Sequence, residues 1–368
     1  MKKLAIIGAS YLQLPLVLKA SEMGIQTHCF AWPEGAVCKG KADFFYPISV
    51  LEKEQILEQC LEIGIDGICT IASDMPVPTI SFVGEKMGLC VNSQKSAWLS
   101  TDKEAMRQAF DGKVQIPKFY KVQAPSDYRD ALDFPIIVKP TDRSGSRGVT
   151  KLTNDEGLDQ AIAYAISESF SKQAIIEEFI SGREVSVESV SWQGKHRILA
   201  ITDKITTGAP HFVELAHHEP SSFPSSILEK IEAETLKALD ALEIAYGAAH
   251  SEFKITENGK VYAIEVGARM GGDFIGSHLV QLSTGYDYVK GVVEIALGEF
   301  HEPQFRDRAY SGVYFLSEET RNLIPYFERP NAFEVEKAVQ NQELKNLKSS
   351  NDRSGYLIYQ AAERIELP

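Results

Sequence analysis

An Asn258-Gly259 dipeptide between two alternating β-prone runs, His250 to Ile255 and Val261 to Val266, commits this stretch of the chain to a tight hairpin. Both residues tolerate the positive φ of a type I′ turn. A two-residue loop sets the register: Glu257 faces Lys260, and counting back along the strands brings Glu252 opposite Glu265. Direct partners share a sheet face, with Cβ atoms about 4.5–5.5 Å apart. Like charges that close are destabilising unless a cation joins them or one takes up a proton. Two carboxylates on rigid strands suit Mg²⁺, which favours one or two carboxylates with water and substrate phosphates. A solvated pair neutralised by Lys254 or Arg269 would satisfy the same pattern. The hairpin alone leaves both readings open.

At 368 residues the chain has room for two or three domains. Its 44% apolar and 24% charged residues are those of an ordinary soluble protein. A net charge of −13 argues against nucleic acid as a partner, which would need a basic stripe. A nucleotide needs only a few well-placed cations. The five cysteines, Cys29, Cys38, Cys60, Cys69 and Cys90, lack metal-like spacing and read as reduced thiols. No run approaches the ~18–20 apolar residues of a membrane span. Gly8 ends the apolar run after Lys2-Lys3 too early for a signal peptide. The expectation is a cytoplasmic protein with no membrane and no nucleic-acid partner.

Residues 1–95 alternate strands (Leu4–Ile7, Gln26–Phe30, Gly67–Ile71) with helices (Pro15–Met23, Leu51–Leu61, Pro78–Met87). That pattern predicts a parallel sheet. Its first turn, Gly8-Ala9-Ser10-Tyr11-Leu12-Gln13, has only the first glycine of GxGxxG. The sheet therefore reads as one wall of a substrate cleft and not as a dinucleotide site. From Ser100 the pattern changes to a helix near Asp102–Phe110, a strand Ile136–Lys139, a helix near Asp155–Ser169, and strands Ala174–Glu178 and Glu184–Val190. An amphipathic helix Ser226–Ala245, the hairpin, and a helix from His278 to Leu297 follow. Strands Gly312–Leu316 and Tyr356–Gln360 predict a small lid-like subdomain in the tail.

Lys139 ends an apolar strand and precedes Pro140, so its ammonium points out of the strand end. The turn Ser144-Gly145-Ser146-Arg147-Gly148 follows, small enough for backbone N–H groups to approach an anion. Most such turns are only turns; the preceding lysine makes phosphate binding an equal reading. Ile175-Ile176-Glu177-Glu178-Phe179-Ile180 then runs into Ser181-Gly182-Arg183-Glu184. Acceptors at such a strand end could hold a purine and its ribose hydroxyls.

Together and in this order, five motifs resemble the ATP-grasp superfamily over roughly residues 5–300. They are Thr101-Asp102-Lys103; Ile137-Val138-Lys139-Pro140; Ser144–Val149; Glu177–Ile180 with Glu184; and Glu252/Glu265 with Arg269. The resemblance implies a mixed α/β and α+β chain. A parallel-sheet, pre-ATP-grasp domain would span 1–95, and an ATP-grasp domain 96–300 with its nucleotide lid at about 110–175. The β-rich C-terminal subdomain would span 301–368.

The resemblance also implies roles. Lys103 and Lys139 would contact the α- and β-phosphates, and Ser144, Gly145, Ser146 and Gly148 would close over the triphosphate. Glu177 with the backbone of Glu178 and Ile180 would receive the adenine edge, and Glu184 the ribose. Glu252 and Glu265 would bind Mg²⁺ (with Mn²⁺ as a substitute), and Arg269 would stabilise the transferred phosphoryl group. Gly267 stands where the family often has an asparagine ligand. His250 is either a basic phosphate contact or a structural histidine, and Lys204 is a candidate γ-phosphate contact.

His250–Lys254 and Arg269-Met270-Gly271-Gly272 look most like carboxylate–amine ligases, including bacterial L-amino acid ligases and the carbamoyl-phosphate-synthase-like branch. The loop bearing His217-His218 would be a substrate wall and lacks the spaced ligands of a zinc site. The implied reaction activates a small-molecule carboxylate as an acyl-phosphate and joins it to an amine. Alternatives are a bicarbonate- or carbamate-activating enzyme, or a non-catalytic nucleotide-binding module. A homodimer is left open, as are the identities of acid and amine.

Overall fold

The computed structural model describes residues 1–128, 132–306 and 309–368, and its strands form three sheets. The first holds β1 (Lys3–Ile7), β2 (Gln26–Phe30), β3 (Phe44–Tyr46) and β4 (Gly67–Cys69), all parallel, in the order β3-β2-β1-β4. β1, β2 and β4 are buried almost throughout because helices cover both faces. Helices Lys53–Ile63 and Val77–Met87 pack on one side, and Leu14–Glu22 with Tyr288–Ala296 on the other.

The second sheet holds β5 (Phe119–Val122), β6 (Ile136–Pro140), β7 (Thr150–Leu152) and β8 (Ala174–Glu178). All its pairs are antiparallel, in the order β5-β8-β6-β7, with helix Leu158–Glu168 buried against it.

The third sheet has eight strands: β9 (Arg183–Trp192), β10 (Lys195–Thr206), β11 (Glu214–Glu219), β12 (Tyr246–Ile255), β13 (Val261–Gly267), β14 (Tyr310–Leu316), β15 (Glu334–Val339) and β16 (Gly355–Ala361). Their order is β13-β12-β9-β10-β11-β14-β16-β15, antiparallel throughout. Helix Ser225–Ala241 covers one of its faces through Ile231, Ala238 and Leu239.

The tail strands extend the large sheet: β14 pairs with β11, so the sheet runs unbroken past residue 300. Two expectations are corrected. The His217-His218 segment is strand β11 and not a loop; both rings are buried, at 1% and 2% exposure. The helix expected from His278 to Leu297 is divided. A π-helical turn Ile275–Leu279 leads into Val280–Thr284, and Gly285, at φ 76, ends that helix before Tyr288–Ala296 begins. Among the described residues no helix is long and apolar enough to cross a membrane.

Candidate active site

One face of the large sheet carries a checkerboard of charge, because side chains repeat every second residue along a strand. Glu184, Ser186 and Glu188 share that face on β9, and Lys254, Glu252 and His250 share it on β12. Register lines them up. Glu184 lies opposite Lys204 and Lys254, Ser186 opposite Thr202 and Glu252, and Glu188 opposite His250.

Glu252 pairs with Glu265, as the hairpin pattern predicts, but by a different route. The loop has three residues, closed by Thr256 against Lys260, with Gly259 alone at positive φ. This shifts Ile255, Lys254 and Phe253 onto Val261, Tyr262 and Ala263. A bulge that leaves Ile264 unpaired then restores Glu252 to Glu265. Arg107 donates to the Ile264 carbonyl at 2.7 Å and so anchors the bulge.

Each of the paired carboxylates has its own lysine. Lys204 Nζ lies 2.6 Å from Glu252 Oε1, and Lys103 Nζ lies 2.9 Å from Glu265 Oε1. Burial opposes the Glu252 charge, yet Lys204 and then His250 hold its carboxyl well below the usual range. Burial likewise opposes the Lys204 ammonium, and Glu252 with Glu214 outweighs it and raises its pKa. His250 sits between Glu188, 2.5 Å from Nδ1, and Glu252, 3.2 Å from Nε2. Burial alone would lower its pKa; Glu188 overrides this and lifts it to about 9, so the ring is a cation at neutral pH. Gly271 N–H donates to Glu188 at 3.0 Å, and a Cβ at Gly271 would fall 2.2 Å from a Glu188 oxygen.

A second cluster joins β6 and β8 of the second sheet to helix Lys103–Phe110. Glu177 is 2% exposed, with Lys139 Nζ 2.6 Å from one oxygen and Arg107 Nε 2.7 Å from the other. The Arg107 contact is close but off the N–H axis, an ion pair without a hydrogen bond. Burial lowers the Lys139 pKa, and neighbouring Arg107 and Lys103 reinforce that against Glu177. Lys103 N–H and Nζ both bind into the 141–143 segment, through the Thr141 and Arg143 carbonyls.

Arg269 is gripped from the segment that follows β4 of the parallel sheet. Its Nε and Nη2 donate to the two oxygens of Asp74, both at 2.8 Å, a planar fork meeting a carboxylate. Burial opposes both charges and each holds the other ionised, raising the arginine and lowering the aspartate. This pair fills the space beside Gly267, where a Cβ would lie 2.5 Å from Asp74 Oδ1 and 3.2 Å from Arg269 Nε. A side chain at 267 is excluded by that packing.

These residues line one cleft. Asp74, Lys103, Lys139, Ser144, Gly145, Ser146, Glu184, Lys204, His250, Glu252, Glu265 and Arg269 all face it. Ile137, Val149, Phe212 and Ile264 give it apolar walls. Gly145 and Ser146, at φ 67 and 55, bend the turn over the cleft mouth. Gly148 instead packs beneath, where a Cβ would meet Pro140 Cγ at 2.6 Å. Glu177 stays below the cleft on its two cations, and Glu178 spends its N–H on the Lys118 carbonyl at 2.9 Å. Ile180 is buried at the same strand end.

Residues 132–277 match the family model of the ATP-grasp domain. That match covers less than half of the chain and identifies an ATP-grasp domain there. The chain is 28% identical over 272 residues to alanine–anticapsin ligase of Bacillus subtilis (strain 168), an alignment covering 64% of this chain and 57% of that ligase. It thus spans less than two thirds of that relative's length. In fold it matches the L-amino acid ligase of Bacillus licheniformis with a TM-score of 0.82 at 21% identity, covering 99% of this chain and 94% of the other. The biotin carboxylase domain of the Hydrogenobacter thermophilus 2-oxoglutarate carboxylase, solved with MgADP and bicarbonate, matches with a TM-score of 0.76 at 20% identity. The coverages are 98% and 86%.

Sequence reasoning does not single out Asp74, Arg107, Glu188 or Glu214. Three carry a signal. Asp74 follows the carboxyl end of β4, where open parallel sheets place ligands. Arg107 is one helical turn beyond Lys103, and Glu188 shares the face of Glu184 two alternations on. Glu214 begins a strand where the sequence suggests a loop.

Proposed function

We propose that the chain is an ATP- and Mg²⁺-dependent ligase that activates a small carboxylic acid as its acyl-phosphate and joins it to an amine, releasing ADP and phosphate. The observation that carries this reading is the convergence of charge in one cleft. Lys103, Lys139, Lys204 and Arg269 line it together with Glu252 and Glu265, beside the turn at Ser144, Gly145 and Ser146.

Glu252 and Glu265 fit a phosphate-bound Mg²⁺. They are cross-strand neighbours, each is 31% exposed toward the cleft, and each is neutralised by a lysine that a metal could replace. Among the described residues no third carboxylate or histidine completes a metal cage, which suits an ion whose remaining ligands are phosphates and water. When bound, the ion neutralises charge on the outer phosphates. Lys103 and Lys139 screen the inner phosphates, and the turn excludes water. Arg269, held flat by Asp74, faces the oxygens of the transferred phosphoryl group. The acid's carboxylate oxygen attacks the γ-phosphorus as the bond to the β-phosphate oxygen breaks and ADP leaves. The amine nitrogen then attacks the acyl carbon, and phosphate departs. Protonated His250 keeps Glu252 in place and ionised. Positioning and charge neutralisation carry the catalysis, with no protein nucleophile. The ~280 Å³ cavity beside the cleft has room for the body of an organic substrate. We place this enzyme in the cytoplasm, in keeping with five free cysteines.

The test is product analysis with the full chain, Mg-ATP and panels of acids. An acid should stimulate ADP release, and hydroxylamine in place of the amine should trap a hydroxamate. AMP and pyrophosphate as stoichiometric products would overturn the mechanism.

Two further results are expected at the cleft. Glu184→Ala raises KM for ATP more than it lowers kcat, because ribose hydrogen bonds hold ground and transition states alike; a collapsed kcat at unchanged KM would move Glu184 into the chemistry. Gly267→Asn lowers kcat instead of adding a metal ligand, because its side chain must displace Asp74 or Arg269. Steady-state kinetics showing a faster enzyme, or one needing less Mg²⁺, would contradict this.

A further inference from the structure

The ~280 Å³ cavity beside the cleft lies between the first turn of the parallel sheet, the segment after Gly272 and the tail strands. Tyr11, Leu12, Phe274, Phe315 and Tyr356 give it an apolar, largely aromatic wall, and Asp273 and Arg353 also face it. Arg353 is fully engaged: Nη1 lies 2.9 Å from Asp273 Oδ2, Nη2 lies 2.8 Å from Glu214 Oε2, and the guanidinium stacks 3.7 Å over Phe315. Its charge is divided between two carboxylates. It has little left for an anionic ligand.

Asp273 is different. Its Oδ2 takes Arg353 and lies 3.8 Å from His217 Nε2, too far for a hydrogen bond. No hydrogen bond engages Oδ1 among the described residues, and the side chain is 25% exposed. Burial opposes its charge, but Arg353 and His217 outweigh burial and hold the carboxyl well below the usual range. Asp273 Oδ1 is therefore a carboxylate acceptor available at this cavity.

The backbone is built to present it. Asp273 and Phe274 are consecutive non-glycine residues in the left-handed region, at φ 49 and 67. Such strain persists where the surroundings over-determine it, commonly at ligand sites. The pair runs directly into the π-helical turn Ile275–Leu279, a feature frequent at functional sites. An ion-pair chain also joins the cavity to the cleft. Arg353 holds Glu214, Glu214 lies 3.6 Å from Lys204, and Lys204 holds Glu252.

We propose that this cavity receives a substrate ammonium group on Asp273 Oδ1, with the apolar body of that substrate against the aromatic wall. The inference rests on the ligase reading for the word substrate; the binding chemistry stands on the cavity itself. The ammonium belongs either to the nucleophilic amine or to an amino group carried by the activated acid.

Three probes of one shape separate the charges: isopentylamine, 4-methylpentanoate and L-leucine. Calorimetry on the full chain should show isopentylamine and leucine binding and 4-methylpentanoate binding at least tenfold more weakly. Asp273→Asn removes the charge at a position whose left-handed backbone asparagine tolerates. It should weaken isopentylamine binding roughly 10- to 100-fold, the range for a hydrogen bond to a charged group. In turnover, a rise in KM confined to the amine assigns the ammonium to the nucleophile, and one confined to the acid assigns it there. Equal binding of 4-methylpentanoate and isopentylamine by the wild type, or unchanged isopentylamine binding by Asp273→Asn, would overturn the proposal. Neither result depends on turnover, so a protein that never releases ADP with any acid refutes the ligase reading separately.

Discussion

Arg269→Ala is expected to lower kcat on the order of 10³-fold, as for other arginines that meet a transferred phosphoryl group. The KM for ATP should move far less, because the interaction strengthens as negative charge spreads over the transferring oxygens. The geometry sharpens the expectation. Asp74 grips Nε and Nη2 at 2.8 Å each, so the guanidinium is fixed in plane and orientation before substrate arrives. Arg269→Lys should recover little, since a lysine cannot meet Asp74 with two donors and reach the phosphate with a third at fixed angles. Asp74→Asn should lie between, with Arg269 present but poorly aimed. The comparison to make is single-turnover ADP formation for the three variants. Near-normal rates in Arg269→Ala would remove the residue from the chemistry.

That grip is not legible in the sequence. Asp74 follows β4 of the parallel sheet and Arg269 follows β13 of the large one, and their meeting depends on how the two sheets seat against each other. What is legible is local. The first sheet follows from apolar runs alternating with amphipathic helices, and the charged face follows from period-two alternation. The hairpin shows how a correct pairing can rest on an incorrect turn. Asn258-Gly259 predicts a two-residue loop, but Thr256 bonds to Lys260 N–H at 3.1 Å and to Asn258 Oδ1 at 2.6 Å, which closes a three-residue one. The resulting one-residue slip would have turned every later side chain to the other face. The bulge at Ile264 cancels it, held by Arg107 and by Ala263 N–H donating to the Gln115 carbonyl at 2.9 Å. Those partners lie far away in sequence, so no local pattern announces them.

The tail and Glu177 show the same limit. Strands β14 to β16 carry ordinary alternation, and only the edge offered by β11 decides that they join the large sheet. Glu177 is recognisable as an acid at a strand end. Lys139 reaches it from the neighbouring strand β6, but Arg107 arrives on a helix that docks from outside the motif.

Glu265→Gln should remove turnover, by on the order of 10³-fold or more, through loss of a carboxylate that fits the metal on the outer phosphates. The accompanying change in stability is where structure reverses the sequence-based sign. Two glutamates face to face suggest that neutralising one relieves repulsion and raises the melting temperature. In the fold each carboxylate is already paired, and Lys103, with a side chain only 7% exposed, depends on Glu265 for its compensating charge. Burial opposes the Lys103 ammonium, and Glu265 is the largest influence raising its pKa against that. Glutamine keeps an oxygen that Lys103 can donate to but not the charge, so the apo protein should lose about 1 kcal/mol. Its melting temperature falls instead of rising. Lys103→Met combined with Glu265→Gln should recover part of that loss, because the unpaired buried ammonium leaves with its partner. Thermal melts of the three proteins without nucleotide, read beside ADP release, separate the two effects. A higher melting temperature in Glu265→Gln would mean that carboxylate repulsion outweighs the lysine pair, and full activity in that variant would take Glu265 out of the metal site.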